Sequence, residues 1–146
     1  MEIIRVLPGS LLWLELADFA DHCSWVAGAH LAVMLRENRF SGWESVFAAV
    51  ENGCIKGFCT LLREDYYPEN RYWPWISSLF VEESARGHRV SHRLIEAAEQ
   101  RAREAGFTQV YIPSDMTGFY EKCGYTFLDT LVNYGGDPDN IFTKHL

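Results

Sequence analysis

The sequence predicts one α/β domain of the α+β kind, with a mixed, partly antiparallel central sheet of six to seven strands flanked by about four helices. Two observations predict this fold. Periodicities run in the order strand, two helices, three strands, helix, strand, helix, two strands. A hairpin near the middle is followed by a strand, a long helix and a short strand, which indicates a right-handed parallel crossover. We therefore expect a single domain over residues 1–146.

The first third of the chain predicts one strand and two helices. A strand covers Glu2 to Leu7 and is ended by a Pro-Gly pair, after which Ser10 can cap a leucine-rich helix. A second helix is expected over about Ala27 to Asn38, because its apolar residues recur at helical spacing. The segment Phe19 to Gly28 is expected to connect the two helices.

The middle of the chain predicts a hairpin. Glu44 to Val50 and Cys54 to Leu62 are joined by Asn52-Gly53, the dipeptide that best accepts positive φ at a tight turn. An irregular segment rich in tyrosine and proline follows, and then a strand over Ile76 to Val81.

A long helix is expected next, ending near Ala105 before Gly106. Glu99 and Arg103 are expected to pair on its outer face. Its buried stripe is predicted to consist of Val90, Leu94, Ala97, Ala98 and Ala102.

The last third predicts three strands and a short helix. The strands are Thr108 to Ile112, Tyr125 to Asn133 and Ile141 to Lys144, and the short helix lies near Met116 to Lys122. The acidic stretch over residues 134–140 reads as a solvated hairpin turn, or alternatively as a negative rim that attracts amines.

Composition narrows the class of protein. The formal charge is -7, with 13 Lys and Arg against 20 Asp and Glu. This charge argues against a protein that binds nucleic acid through its phosphate backbone. No apolar run is long enough for a membrane span, and the N-terminus lacks a signal-type pattern, so we expect no membrane association and a cytoplasmic protein. The four cysteines form no C-x-x-C pair and are expected to be buried, reduced thiols.

Against this acidic background, the segment Arg86 to Arg93 carries three arginines and two histidines and no carboxylate. It lies between a strand and a long helix, where free backbone amides and the helix dipole favour an anion such as phosphate. A solvated basic helix start is the alternative. His88 and His92 have the spacing of a metal pair, but without an evident third ligand we expect no metal.

Two segments make the sequence resemble the GNAT superfamily of acetyl-CoA-dependent N-acetyltransferases. The first runs from Val81 to Ser91 and is similar to the family's Arg or Gln, two residues, Gly, one residue, then Gly or Ala at the start of the long helix. The second, Gly118 to Tyr125, resembles the family's Phe-Tyr followed by Gly and an aromatic residue. The resemblance covers roughly residues 54 to 132 and implies a GNAT-like fold.

The resemblance implies acetyl-CoA as co-substrate and no metal. The backbone amides near Gly87 to Ser91 would cradle the pyrophosphate, and the central strand would hold the pantetheine arm at a splayed or bulged edge. A backbone N–H around Leu79 or Phe80 would stabilise the oxyanion. The implied cofactor-binding residues are Leu79, Phe80, Val81, Arg86, Gly87, His88, Arg89, Val90 and Ser91.

The chain departs from the family pattern at two positions. Arg89 stands where the motif usually has its first Gly, and Ser91 stands at its second small residue. We expect Arg89 still to offer its amide, with a negative φ and an outward side chain that could itself bind a phosphate.

Tyr120 resembles the family tyrosine that donates a proton to the departing CoA sulfur, although a packing role is the alternative reading. The attacking amine must lose a proton, and Glu64, Asp65 and Glu69 are candidate bases, or simply members of a hydrophilic loop.

The segment Tyr66 to Trp75 packs five aromatic residues and two prolines into ten residues. It could form an acceptor pocket, an aromatic cage for a cation or a dimer contact, which leaves Tyr72 and Trp73 as candidate acceptor-binding residues.

The expected function is transfer of an acetyl group from acetyl-CoA to a primary amine of a small molecule or peptide, by direct attack in a ternary complex. No serine or cysteine sits in a recognisable nucleophile motif. The resemblance also implies a homodimer. The alternative function is a non-catalytic acyl-CoA-binding regulatory module. A nucleotide-binding domain is disfavoured because neither G-x-G-x-x-G nor a P-loop motif occurs.

Overall fold

The computed structural model describes residues 1–114 and 118–146. The strands are β1 (Glu2–Val6), β2 (Ser45–Glu51), β3 (Cys54–Leu62), β4 (Trp75–Val81), β5 (Gln109–Ser114), β6 (Thr126–Val132) and β7 (Pro138–His145). The helices are α1 (Leu11–His22), α2 (Ala27–Arg36), α3 (Val90–Glu104) and α4 (Phe119–Lys122), with a 3-10 turn at Glu83–Ala85. The predicted number, type and order of the main elements are confirmed.

Local sequence signals explain where several elements begin and turn. Ser10 precedes α1, and its hydroxyl accepts a hydrogen bond from the amide of Trp13 at 3.2 Å. Asn52 and Gly53 have φ of 51° and 77°, so the hairpin between β2 and β3 turns where the sequence predicts.

The seven strands form one mixed sheet in the order β1-β2-β3-β4-β5-β7-β6. Neighbouring strands are antiparallel except β4 and β5, which are parallel because α3 carries the chain back across the sheet. The predicted parallel crossover is confirmed.

Hydrophobic clusters cover both faces of the sheet. Helices α1 and α2 pack on one face, where Leu16 and Leu31 meet Phe58 and Phe80, and we call this the α1/α2 face. Helix α3 packs on the other face, which we call the α3 face, and Leu94 there is fully buried. A smaller cluster around Trp75 and Ile141 fills the end of the sheet near β6 and β7.

Some predicted boundaries differ. Helix α1 extends through His22, so Phe19 lies inside a helix and the connection to α2 covers only residues 23–26. Strand β7 begins at Pro138, because the chain already pairs with β6 from there. Residues 116 and 117, at the start of the predicted short helix, lie outside the described residues, as does residue 115.

Two predictions about side chains are wrong. Glu99 is only 3% exposed and faces the core instead of pairing with Arg103 on the outer face of α3. It is stabilised there by hydrogen bonds from Tyr125 and Lys144, which arrive from strands far away in sequence. All four cysteines are free, but Cys54 is exposed because it starts β3 beside the hairpin turn.

Within the described part of the chain, no helix combines the length and apolarity needed to cross a membrane.

Candidate active site

The segment between β4 and α3 folds into a backbone turn that opens toward solvent. Gly87 has φ of 84°, and Arg89, the residue that caps α3, has φ of 59°. The expectation of a negative φ at Arg89 is therefore wrong. Its backbone takes the left-handed conformation that glycine adopts most readily, although the side chain is arginine.

The N-terminus of α3 is strongly positive. Arg89 provides no side-chain cap, so the first amides of α3 lack an intrahelical partner. Among the described residues, Arg86, Arg89 and Arg93 form no ion pair with a carboxylate. Cations at a helix N-terminus are unfavourable by about 0.3–1 kcal/mol each, so this arrangement favours an external anion.

A cleft of about 240 Å³ lies directly at this turn. Its wall is completed by Phe119 of α4, whose ring contacts the ring of His92 edge-on at 5.4 Å. The side chain of Arg86 is held at the cleft, because its Nε donates a hydrogen bond to the carbonyl oxygen of Val81 at 2.9 Å. The lining residues are Val81, Ala85, Arg86, Gly87, Arg89, Val90, Ser91, His92 and Phe119.

Six of the nine predicted cofactor-binding residues line this cleft. His88 is exposed beside it and is not part of the lining, and Leu79 and Phe80 lie further back along β4. In the described part of the chain, no group of three or more His, Cys, Asp or Glu side chains could hold a metal ion.

Strand β4 is irregular at the point that leads away from the cleft. Phe58 pairs with Phe80 and Thr60 pairs with Ser77, so Ser78 and Leu79 together lie opposite Cys59. Ser78 has φ of 52°, which identifies a β-bulge. The expectation of a bulged central strand is confirmed.

Strands β4 and β5 also separate at this point. Within the described residues they share a single registered pair, Trp75 with Tyr111, whereas β5 and β7 pair over six positions. Beyond Trp75 no further pair with β5 is registered among the described residues, and we call this unpaired side of β4, from Ile76 to Val81, the gap beside β4. The 240 Å³ cleft lies at the end of this gap, because Val81 lines it.

Tyr120 sits in the short helix α4 on the α3 face and is 7% exposed. Its ring packs against Phe119 at 5.0 Å, Phe142 at 6.1 Å and Tyr125 at 6.3 Å. The turn is held by a hydrogen bond from the amide of Tyr125 to the carbonyl oxygen of Tyr120 at 3.0 Å. Tyr120 therefore packs in the core, and its backbone is fixed by this hydrogen bond.

The three candidate carboxylates occupy different environments. Glu64 is exposed and lines a separate cleft of about 450 Å³ beside Arg63 and Trp43. Glu69 is exposed and accepts a hydrogen bond from Arg71 at 2.8 Å. Asp65 is half-buried, and its Oδ2 accepts a hydrogen bond from the hydroxyl of Ser77 on β4.

Burial raises the pKa of Asp65 above its ordinary value, and the carboxylate of Asp139 adds to this effect. Hydrogen bonds from Ser77 and from the amide of Tyr66, together with the charge of His30, partly oppose the increase in pKa. The net effect is a pKa above that of an ordinary aspartate, which makes this carboxylate a stronger proton acceptor.

The two aromatic candidates point to different parts of the molecule. Tyr72 stacks on Tyr111 of β5 at 4.9 Å, and its hydroxyl donates to Asp129 at 2.8 Å, which raises the pKa of Tyr72. Trp73 is 44% exposed and lies 6.0 Å from the guanidinium of Arg63. Neither side chain lines the cleft at α3.

The sequence matches the model of the acetyltransferase (GNAT) family over residues 10–125. The chain belongs to the acetyltransferase (GNAT) family. The match includes both the Arg86 to Ser91 turn and the Phe119-Tyr120 helix on which the resemblance rests.

Individual relatives are more distant. An acetyltransferase of Agrobacterium fabrum is 34% identical over 64 residues, which are 42% of this chain and 47% of that protein. The match thus spans about half the length of that relative. It is consistent with the GNAT family assignment.

Three solved GNAT structures share the whole fold. An aminoglycoside 6′-acetyltransferase type Ii has a TM-score of 0.76 at 24% identity. An aminoglycoside 6′-N-acetyltransferase from Enterococcus faecium has 0.75 at 20%, and another, complexed with coenzyme A, has 0.74 at 19%. Each alignment covers 99% of this chain and 97% of the other. At these identities the similarity establishes the fold.

Sequence reasoning missed two features of this GNAT site. Trp25, in the connection between α1 and α2, stacks parallel to Phe80 at 6.3 Å and forms a wall over the α1/α2 face beside the bulge. Glu99, Tyr125 and Lys144 form a buried network beneath α4. The sequence contains a signal for each feature. Trp25 is an aromatic residue in a short connection between helices, and Glu99 is a carboxylate on the apolar stripe of α3.

Proposed function

We propose that this GNAT-family protein transfers an acetyl group from acetyl-CoA to a primary amine of a small molecule or peptide, by direct attack in a ternary complex. The observation that carries the proposal is the continuity of the positive cleft at α3 with the gap beside β4. An anionic pyrophosphate and an extended amide-bearing arm are the two parts of coenzyme A that such a surface suits.

The residues of the cleft fit a diphosphate. The free amides near Gly87 to Ser91 would donate to its oxygens, and Arg89 would supply charge at the solvent side. Gly87 adopts a positive φ, and an added Cβ there would meet nothing within 4 Å, so strain rather than crowding favours glycine.

The edge of β4 fits the pantetheine arm. Between Leu79 and Val81, the backbone groups that point away from β3 have no registered partner on β5 among the described residues, and an amide of the arm can pair with them as an added strand would. The bulge at Ser78 interrupts the ladder just before Leu79 and Phe80, which supports a role for a backbone amide there in stabilising the oxyanion.

Tyr120 would supply the proton to the departing sulfur. A thiol with an ordinary pKa near 8.5 leaves with modest help, and a positioned acid contributes about 10²- to 10⁴-fold. The amine presents the larger problem, because removing a proton from an alkylammonium with a pKa near 10.4 costs about 4–5 kcal/mol at pH 7. The site therefore needs a proton acceptor as well.

The acceptor is proposed to be a small-molecule amine in the first instance. Three structural neighbours are described as aminoglycoside 6′-N-acetyltransferases, and the net charge of -7 favours cationic partners over anionic ones. These neighbours share the fold at low identity, so the amine panel in the test has to be broad.

Two measurements test the proposal. Calorimetric titration with coenzyme A should show saturable binding, and binding that does not saturate at millimolar concentration would refute the cleft assignment. Thiol release from acetyl-CoA should then be followed with aminoglycosides, polyamines and peptide N-termini. Tight binding without thiol release for any amine would identify an acyl-CoA-binding regulatory module instead.

A further inference from the structure

We propose that the carboxylate of Asp65, held by the hydroxyl of Ser77, is the group that accepts the proton from the acceptor amine. The proposal rests on the proposed acetyl transfer and names one residue of that site.

The first argument is position along β4. Ser77 precedes the bulge residue Ser78, and its partner Asp65 is therefore tied to the strand at this point. Strand residues advance by about 3.3 Å each, so the amides of Leu79 and Phe80 lie about 7–10 Å further along. A small amine seated between them and Asp65 would contact both.

The second argument concerns the face of the sheet. Ser77 pairs with Thr60, and cross-strand partners share a face. Thr60 and Phe58 are two residues apart in β3 and therefore point to the same face, where Phe58 packs under α1 and α2. Ser77 thus also lies on the α1/α2 face. Tyr120 belongs to the cluster on the opposite, α3 face. Proton acceptor and proton donor therefore approach the gap beside β4 from opposite sides.

The third argument is the electrostatic environment. The charged or titratable groups that act on Asp65 come from three elements: His30 of α2, Asp139 of β7 and Tyr67 of the β3–β4 connection. The hydroxyl of Tyr67 donates to Asp139 at 2.9 Å, and Asn133 donates to the same oxygen at 3.1 Å. Both carboxylates accept hydrogen bonds, but those to Asp139 come from Tyr67 and Asn133, whereas Asp65 accepts one from Ser77 on β4 itself.

The proton balance is simple. The ammonium transfers one N–H proton to the Asp65 carboxylate, which leaves a neutral amine. The nitrogen lone pair forms the new C–N bond, the C–S bond breaks, and Tyr120 protonates the sulfur. The nitrogen then loses its second proton, which restores the tyrosine hydroxyl through solvent, and Asp65 releases its proton to solvent. The sum is amide, free thiol and one proton, with no oxidant or metal required.

The test is the pH dependence of thiol release with an amine that the wild-type protein acetylates. Asp65→Asn should lower kcat/KM at pH 7 by at least 100-fold and replace the acid limb set by Asp65 with one set by the pKa of the amine itself. The loss should shrink as pH approaches the amine's pKa, because free amine then becomes abundant. Coenzyme A affinity should be unchanged, which also shows that the variant is folded.

Ser77→Ala supplies a second variant. Its hydroxyl stabilises the charged form of Asp65, so removing it should raise the pKa of the carboxyl and move the acid limb to higher pH. Asp18→Asn is a matched surface control, since Asp18 lies on α1 and pairs with Arg36, and it should leave the profile unchanged.

Each outcome is decisive. An acid limb that keeps its wild-type midpoint in Asp65→Asn or in Ser77→Ala overturns the assignment while leaving acetyl transfer intact. Loss of the limb in Glu64→Gln or Glu69→Gln would assign the proton to that carboxylate instead. A wild-type protein that releases no thiol with any amine would refute the proposed function itself.

Discussion

The hydroxyl of Tyr125 donates a 2.7 Å hydrogen bond to the buried carboxylate of Glu99. Lys144 completes the charge balance, with its Nζ 3.1 Å from the same oxygen. Burial first, and then the charge of Glu99, raises the pKa of Tyr125 far above its ordinary value, so the phenol stays protonated. This network links Glu99 of α3 to Lys144 of β7 and to Tyr125. The amide of Tyr125 donates the hydrogen bond that closes the turn at Tyr120.

Lys144→Met should destabilise the protein. It leaves the carboxylate of Glu99 buried without its counterion, and we expect the free energy of unfolding to fall by about 2 kcal/mol, below the fully buried case because Lys144 is partly exposed. Urea unfolding measures the change. The double variant Glu99→Gln, Lys144→Met should recover part of the loss, since it removes the unpaired charge. Additive losses would show that the pair is not coupled.

Tyr120→Phe should lower kcat by about 10²-fold or more at saturating substrates and leave acetyl-CoA affinity unchanged. The reason is that the ring packing survives while the proton donor is removed. Tyr125→Phe is the matched variant, because it removes a neighbouring hydroxyl that acts only on Glu99. It should reduce stability and spare turnover. Unchanged turnover in Tyr120→Phe would remove this residue from the chemistry.

Arg89→Gly should distinguish the effect of the backbone conformation at this position on stability from the effect of the side-chain charge on coenzyme A binding. Glycine accepts the left-handed φ without strain, so the free energy of unfolding should stay the same or rise by about 1 kcal/mol. Coenzyme A should bind roughly tenfold more weakly, and its affinity should depend less on salt. Arg103→Ala, at the other end of α3, is the control for loss of a surface charge. Equal affinity in Arg89→Gly and wild type would exclude a phosphate contact.

Gly57→Ala should disturb the bulged region. An added Cβ would lie 2.6 Å from the carbonyl oxygen of Phe80, and this backbone neighbour cannot move aside cheaply. We expect a loss of about 1–3 kcal/mol in the free energy of unfolding, together with weaker coenzyme A binding. Gly135→Ala is the comparison, because its new Cβ would lie 3.1 Å from a side-chain oxygen of Asn133 rather than against backbone. Stability measured by urea unfolding and affinity measured by calorimetry should fall together in Gly57→Ala alone.

Much of the fold could be predicted because its signals are local. Ser10 before a leucine-rich run and Asn52-Gly53 between two apolar runs indicate a helix start and a tight turn wherever they occur. The basic turn at Arg86 to Arg93 was located in the same way, by its place between a strand and a helix. Glu99 was misjudged because helical spacing alone cannot reveal a partner 45 residues away in β7.

The same distinction between local signals and long-range contacts applies to the candidate site. By itself, the sequence determined the order of the elements, the positive turn before α3 and the Phe119-Tyr120 segment, since each depends on neighbouring residues. Only the tertiary structure decided that the bulge of β4 falls at Ser78, that Arg89 takes a left-handed φ, and that Asp65 rather than Glu64 or Glu69 meets β4. These outcomes depend on strand register and on packing between distant segments, where the free energy comes from contacts that no local pattern records.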